Sequence, residues 1–142
     1  MANGRWHTAH ADVRVLYAST HPSTALLEMM VQVYGDPRRA PYDLVLLELG
    51  VTVAARRGAR HIAETELSSA WTEDIASTRQ LGDAWLADAQ APLLVVPCAL
   101  SPVAENVLVN VAAIGDDVAL EQVIDLRPKL SRVLAAIRRA PV

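Results

Sequence analysis

Apolar and polar positions half alternate along Val13-Arg14-Val15-Leu16-Tyr17, and β-branched and aromatic side chains dominate the run, which predicts a strand ending near Tyr17 and Ala18. Thr20-His21-Pro22-Ser23 then offers a capping hydroxyl and a proline suited to a first helical turn. Ala25 to Tyr34 predicts a helix that Gly35-Asp36-Pro37 stops. At about 100° per residue, its apolar residues cover most of the circumference and leave Glu28 and Gln32 on a narrow polar stripe. A helix this apolar is expected to be buried on most sides, with the stripe facing solvent or a polar cleft.

Further along, the continuous apolar run Asp43 to Leu49, DLVLLEL, predicts a second strand in a central position. Ser68 to Ala89 has a helical pattern in two pieces, with Gly82-Asp83 inside it. Leu93 to Val96, between Pro92 and Pro97, predicts a third strand, Asn106 to Asn110 a short fourth and Val118 to Leu126 another. Pro128 to Arg139 closes the chain as a predicted helix. Strands and helices interleave without the Gly-rich strand-to-helix turn of a dinucleotide fold, so the expected class is α+β, mixed rather than doubly wound.

Composition narrows this picture. The chain has 142 residues and no Gly/Ser-rich linker, repeat or low-complexity tract, so residues 1–142 are expected to form one compact domain. Hydrophobic residues make up 52% and charged residues 20%, which excludes a disordered chain. The longest apolar stretches, Pro92 to Leu100 and Val107 to Ile114, are too short to span a bilayer. The start, MANGRWHTAH, lacks the basic flank and apolar core of a signal peptide, and Cys98, the sole cysteine, has no intrachain disulfide partner; a cytoplasmic location is expected. The net charge of −3, with arginine pairs scattered along the chain, argues against direct nucleic-acid binding.

Candidate chemistry is sparse. His7-x-x-His10 has no second pair at zinc-like spacing, so no metal site is expected, and the four histidines read best as surface or turn residues. Cys98 has no nucleophile motif around it and reads as a small buried hydrophobe beside a strand. Arg5, Tyr17 and Glu28 recur near the start, but each has an ordinary explanation: a charge stacked on Trp6, an amphipathic strand residue, the solvent side of a helix. On spacing alone the ordinary reading is the better one.

The wider pattern shifts the balance. Gly4-Arg5-Trp6, Val15-Leu16-Tyr17-Ala18 and Ala25-Leu26-Leu27-Glu28 resemble the opening of the RES-domain family, the toxin halves of bacterial Xre–RES toxin–antitoxin pairs. Residues 76–86, Val95-Val96-Pro97-Cys98-Ala99, Asn106-Val107-Leu108-Val109-Asn110 and Ile124-Asp125-Leu126-Arg127-Pro128-Lys129-Leu130 resemble its later segments in the same order. The resemblance implies a fold like that of ADP-ribosyltransferase toxins, and NAD+ as substrate rather than cofactor, with phosphate as a co-substrate in some members. It implies cleavage of the nicotinamide–ribose bond by hydrolysis or phosphorolysis, with growth arrest as the result. A protein ADP-ribosyltransferase and a weakened NAD+-binding interaction module are the alternatives. Arg5, Tyr17 and Glu28 map onto the family's catalytic positions, with Arg5 and Tyr17 also binding substrate alongside Cys98 and Asn106.

These residue types suit that chemistry. A guanidinium such as Arg5 binds pyrophosphate oxygens through paired hydrogen bonds, and an aromatic such as Tyr17 gives a ring a face to stack on. Cleaving the glycosidic bond builds positive charge on the ribose, which a carboxylate such as Glu28 stabilises. Nicotinamide leaves as a neutral molecule, so no second carboxylate acid is needed. The chain departs from the family pattern in three places: Cys98 stands where a Ser is expected, with Ser101 nearby; His7 replaces the common Asn; Val111 replaces a usual Pro. The pattern also begins almost at residue 1, where most members carry a further segment, which implies either a short form or a missing first strand; the latter would leave a sheet edge for a partner or a second copy to cover. The implied partner is an Xre-like helix-turn-helix antitoxin that contacts DNA itself. A homodimer within a toxin–antitoxin complex is one assembly open to so apolar a chain.

Overall fold

A computed structural model describes residues 3–10, 12–33 and 45–126. The elements run in the order β1 (Val15–Ser19), α1 (Pro22–Val33), β2 (Val45–Val51), α2 (Val53–Arg57), β3 (Arg60–His61), α3 (Ile75–Asp88), β4 (Leu93–Cys98), β5 (Ser101–Asn110), α4 (Val111–Ile114) and β6 (Val118–Asp125). The main sheet has the order β1-β5-β4-β3, and β2 and β6 form a separate two-stranded ribbon. β5 lies antiparallel to both neighbours, placing Asn106 opposite Ser19 on one side and Val96 on the other. β3 joins β4 in parallel.

β4 is the apolar spine of the sheet. Leu94 and Val96 are wholly buried and, with Leu108 of β5, pack against Trp6, Trp71 and Trp85 in the main core cluster. Trp6 and Trp71 meet at 6.1 Å between ring centroids, and the Trp85 indole N–H donates to the Ala91 carbonyl at 2.8 Å, so its one polar atom is satisfied. Truncating an aromatic so placed costs about 3–5 kcal/mol.

Trp6 belongs to no regular element, yet it is 1% exposed. It is held there by α3. Gly82 faces the Trp6 carbonyl so closely that a Cβ would overlap its oxygen. Around it, Thr78 Oγ1 donates to the Arg5 carbonyl at 2.9 Å and Arg79 Nε to the Gly4 carbonyl at 2.8 Å. Asp83 accepts from the Thr8 N–H at 2.8 Å and its hydroxyl at 2.7 Å. One face of α3 therefore clasps residues 4–8 against the core.

Several expectations are corrected. β2 is not central: it pairs with β6 in the ribbon, and its Val45 and Leu47 are exposed, because its apolar run serves one half-covered face rather than two buried ones. α1 is not buried on most sides. Of its described side chains only Thr24 is buried, and Leu27 and Val31 are exposed, because the helix lies against the β1 edge of the sheet and leaves its far face open. The helix predicted from Ser68 begins only at Ile75, where Asp74 caps it by accepting from the Ser77 N–H at 3.1 Å. β5 reaches back to Ser101. The predicted ends at Tyr34 and Asp43, the Gln32 side chain and the helix from Pro128 to Arg139 lie outside what is described.

Candidate functional site

β1 and α1 meet across a tight turn. Ser19 and Thr20 direct their hydroxyls to the Glu105 carbonyl of β5, and the His21 carbonyl accepts from the N–H groups of Thr24 and Ala25 to start the helix. The connection holds α1 against the β1–β5 end of the sheet. Glu28, on the second turn, then faces β5.

Between α1, β1 and the clasped segment lies a cleft of about 580 Å³. Arg5, Tyr17, Glu28 and Asn106 all line it, so the structure brings together four of the five residues singled out in the sequence. Glu28 Oε1 accepts from Asn106 Nδ2 at 2.9 Å and from the Cys98 thiol at 3.3 Å. Cys98 itself does not line the cleft. It is buried beneath Glu28 and accepts from the Leu100 N–H at 3.4 Å, so it reaches the cleft only through the carboxylate. Burial and the adjoining Glu28 push its thiol above the ordinary value, which keeps it protonated and able to donate.

Arg5 is braced from behind, with one N–H donated to the Thr72 carbonyl at 2.8 Å. A guanidinium has five N–H donors. The side chain is thus oriented without being used up.

The Tyr17 side chain is 39% exposed, but its hydroxyl turns inward. It accepts from the Trp6 N–H at 3.1 Å and lies 2.8 Å from His7 Nδ1. A Cβ on Gly4 would overlap both, so the absent side chain of Gly4 opens the space in which Tyr17 and His7 meet. Burial pushes the Tyr17 phenol up to about 12, against the opposing effect of the Trp6 N–H. The ring is neutral across the physiological range.

His7 corrects the expectation of surface histidines. His10, His21 and His61 are exposed, but His7 is 8% exposed and sits 5.5 Å from the Tyr17 ring between centroids. Burial lowers its tendency to protonate, with Asp83 opposing and Arg79 and His10 reinforcing. Burial also acts to raise Asp83, but the two Thr8 hydrogen bonds and the nearby His10 and His7 outweigh it and hold the carboxyl below its usual value. Among the described residues, no three His, Cys, Asp or Glu side chains gather as a metal site, and no helix is long and apolar enough to cross a membrane.

Local sequence gave no sign of the clasp, because Thr8 and Asp83 lie 75 residues apart. The one available signal was a glycine inside a helical pattern, which marks close approach by another backbone.

The site therefore defines an α+β domain with an arginine, a neutral tyrosine and a braced glutamate in one open cleft. A family model described as the RES domain matches residues 1–130, and the chain belongs to that family. A protein named Toxin Res from Pseudomonas putida is 37% identical over 110 residues, covering 76% of this chain and 70% of its own length. The crystal structure of the M. tuberculosis MbcT–MbcA toxin–antitoxin complex contains a chain that aligns with a TM-score of 0.64 at 17% identity, covering 94% of this chain and 76% of that one. At that identity the likeness shows the fold, and it is the fold expected from the sequence.

Proposed function

We propose that this chain is the toxin of a toxin–antitoxin pair, acting in the cytoplasm to consume NAD+ by breaking its nicotinamide–ribose bond. The observation that carries this reading is the convergence of Arg5, Tyr17 and Glu28 on one cleft, with Glu28 held in place by Asn106. Relatives named as a toxin and as a toxin–antitoxin complex support the first half of the proposal.

In this reading Arg5 directs its remaining N–H groups to the pyrophosphate. Tyr17 offers a neutral aromatic face to the nicotinamide ring. As the glycosidic bond breaks, both bonding electrons leave with nicotinamide, and the ribose becomes cationic. Glu28 stabilises that charge from a fixed position, with no reorganisation needed at the moment of reaction. Water or phosphate then attacks the sugar; a protein nucleophile in their place would make the chain an ADP-ribosyltransferase. The partner is an Xre-like helix-turn-helix antitoxin that handles the DNA, a division consistent with the acidic charge of this chain.

The second reading, a weakened NAD+-binding module, draws on one observation. Glu28's second donor is a thiol, a weaker donor than a hydroxyl.

The test is nicotinamide release from NAD+ by the purified antitoxin-free chain, with and without phosphate. Release is expected, falling about a hundredfold or more in Glu28→Ala, and its phosphate dependence names the acceptor. Binding of NAD+ without release, with a large gain of turnover in Cys98→Ser, would select the weakened module instead.

A further inference from the structure

We infer that His7 is a positioning residue which fixes the direction of the Tyr17 hydroxyl and thereby makes engagement of the cleft sensitive to acid. The geometry leaves little freedom. The Tyr17 oxygen accepts from the Trp6 backbone N–H, an obligatory donor with no other partner among the described residues. The remaining contact, 2.8 Å to His7 Nδ1, requires one proton between the two atoms. A phenolic O–H is a good donor and its oxygen, conjugated with the ring, a poor acceptor; a neutral imidazole nitrogen is a good acceptor. Tyr17 therefore donates to Nδ1, and His7 carries its own proton on Nε2. The hydrogen of the hydroxyl and one of its two lone pairs are committed, and a ligand in the cleft meets the ring of Tyr17 rather than its O–H.

Protonation of His7 reverses the bond. Imidazolium donates at both nitrogens and accepts at neither, so Nδ1–H must donate to the Tyr17 oxygen, which then receives two donors. Its own hydrogen has to turn toward the cleft, and a positive charge arrives behind the ring. The groups facing His7 are the neutral Tyr17 of β1, Asp83 and Arg79 of α3, and His10 of its own segment; Arg5 of that segment, Arg14 just before β1 and Glu28 of α1 share the cleft. Arg79 and His10 oppose the added charge and Asp83 favours it. A cationic ring stacked on Tyr17 would be weakened by both changes.

The consequence for turnover rests on the NAD+ reading, whereas the tautomer does not, so the experiment has two arms. In the first, long-range ¹H–¹⁵N correlation spectra of the intact chain, without ligand, report which nitrogen of His7 is protonated near neutral pH. The expected result is Nε2–H with an unprotonated Nδ1; an Nδ1–H tautomer overturns the inference. In the second, nicotinamide release is followed as pH falls through and below the ordinary histidine range. The wild-type chain is expected to lose activity below pH 6.5, with the loss displaced to the acid side by burial. His7→Asn, whose amide reaches similarly but does not titrate, is expected to flatten that limb. An acid limb unchanged in His7→Asn overturns the inference. Absence of release from the wild type at every pH overturns the NAD+ reading and leaves the first arm to decide the role of His7.

Discussion

Asn106 and Cys98 direct their hydrogens to the same oxygen of Glu28, but they are not equivalent. The amide bond to a carboxylate is charge-assisted and contributes about 1.5–3 kcal/mol, whereas the thiol is a weak donor. Under the proposed chemistry Asn106→Ala should therefore lower kcat for nicotinamide release by about ten- to a hundredfold, with a smaller change in KM, since the carboxylate remains but is no longer aimed. A rise in KM alone, with kcat intact, would show that Asn106 binds substrate rather than orienting Glu28. Cys98 yields a separate expectation that requires no substrate. Its thiol is buried and held protonated, and the thiolate is the reactive species. Iodoacetamide should modify it far more slowly in the native chain than in urea at the same pH, measured by mass spectrometry. Rapid native labelling would contradict the buried contact with Glu28.

The Gly4-Arg5-Trp6 segment takes its meaning from α3. Gly82, Thr78, Arg79 and Asp83 grip it at the carbonyls of Gly4 and Arg5, the backbone of Trp6 and the side chain of Thr8. A methyl group at position 82 has no room. Gly82→Ala should destabilise the chain by about 1–3 kcal/mol through forced displacement of backbone, despite the gain in helix propensity, and urea denaturation would measure it. An unchanged or raised midpoint would mean that the clasp is not tight. Much of this level was legible in the sequence where local pattern decides: β1, the start of α1 at Pro22, and the start of β4 after Pro92, although that strand runs on through Pro97 to Cys98 instead of stopping at Val96. It failed where long-range pairing decides. DLVLLEL looks central by composition, yet its place in a ribbon depends on β6, more than sixty residues away. Ser68 to Asp74 carries a helical pattern, but Asp74 competes as a cap and starts the helix late. Among site residues, Arg5, Tyr17 and Glu28 were visible through family pattern. His7 was not, because nothing beside it in sequence shows that Tyr17 and α3 bury it.

For the whole molecule, three of these groups shape the dependence of stability on pH. His7 is buried in its neutral form, so its folded pKa lies below 6.5. As pH falls from 6.5 the unfolded chain takes up a proton that the folded chain refuses, and stability declines until the folded pKa is reached. Asp83 is also depressed, from 3.8, through its Thr8 bonds once these outweigh burial. Its contribution is present above 3.8 and is lost as pH falls through the folded value, so acid removes stability in two successive steps. At the alkaline end the sign is opposite. Tyr17 is raised from 10.0 to about 12, so the folded chain retains a proton that the unfolded chain releases, and stability falls as pH rises between those values. Urea midpoints measured across the range test all three by difference. His7→Asn should remove the step that begins near 6.5 while preserving the one below 3.8, and Asp83→Asn should do the reverse for Asp83's part of the lower step, to which Asp74 also contributes through its bonds to Ser77, at the cost of about 1–3 kcal/mol near neutrality. Tyr17→Phe should remove Tyr17's part of the alkaline loss. If the wild-type and His7→Asn curves run parallel from neutrality down to pH 5, His7 is not held neutral by the fold, and the burial assigned to it is wrong.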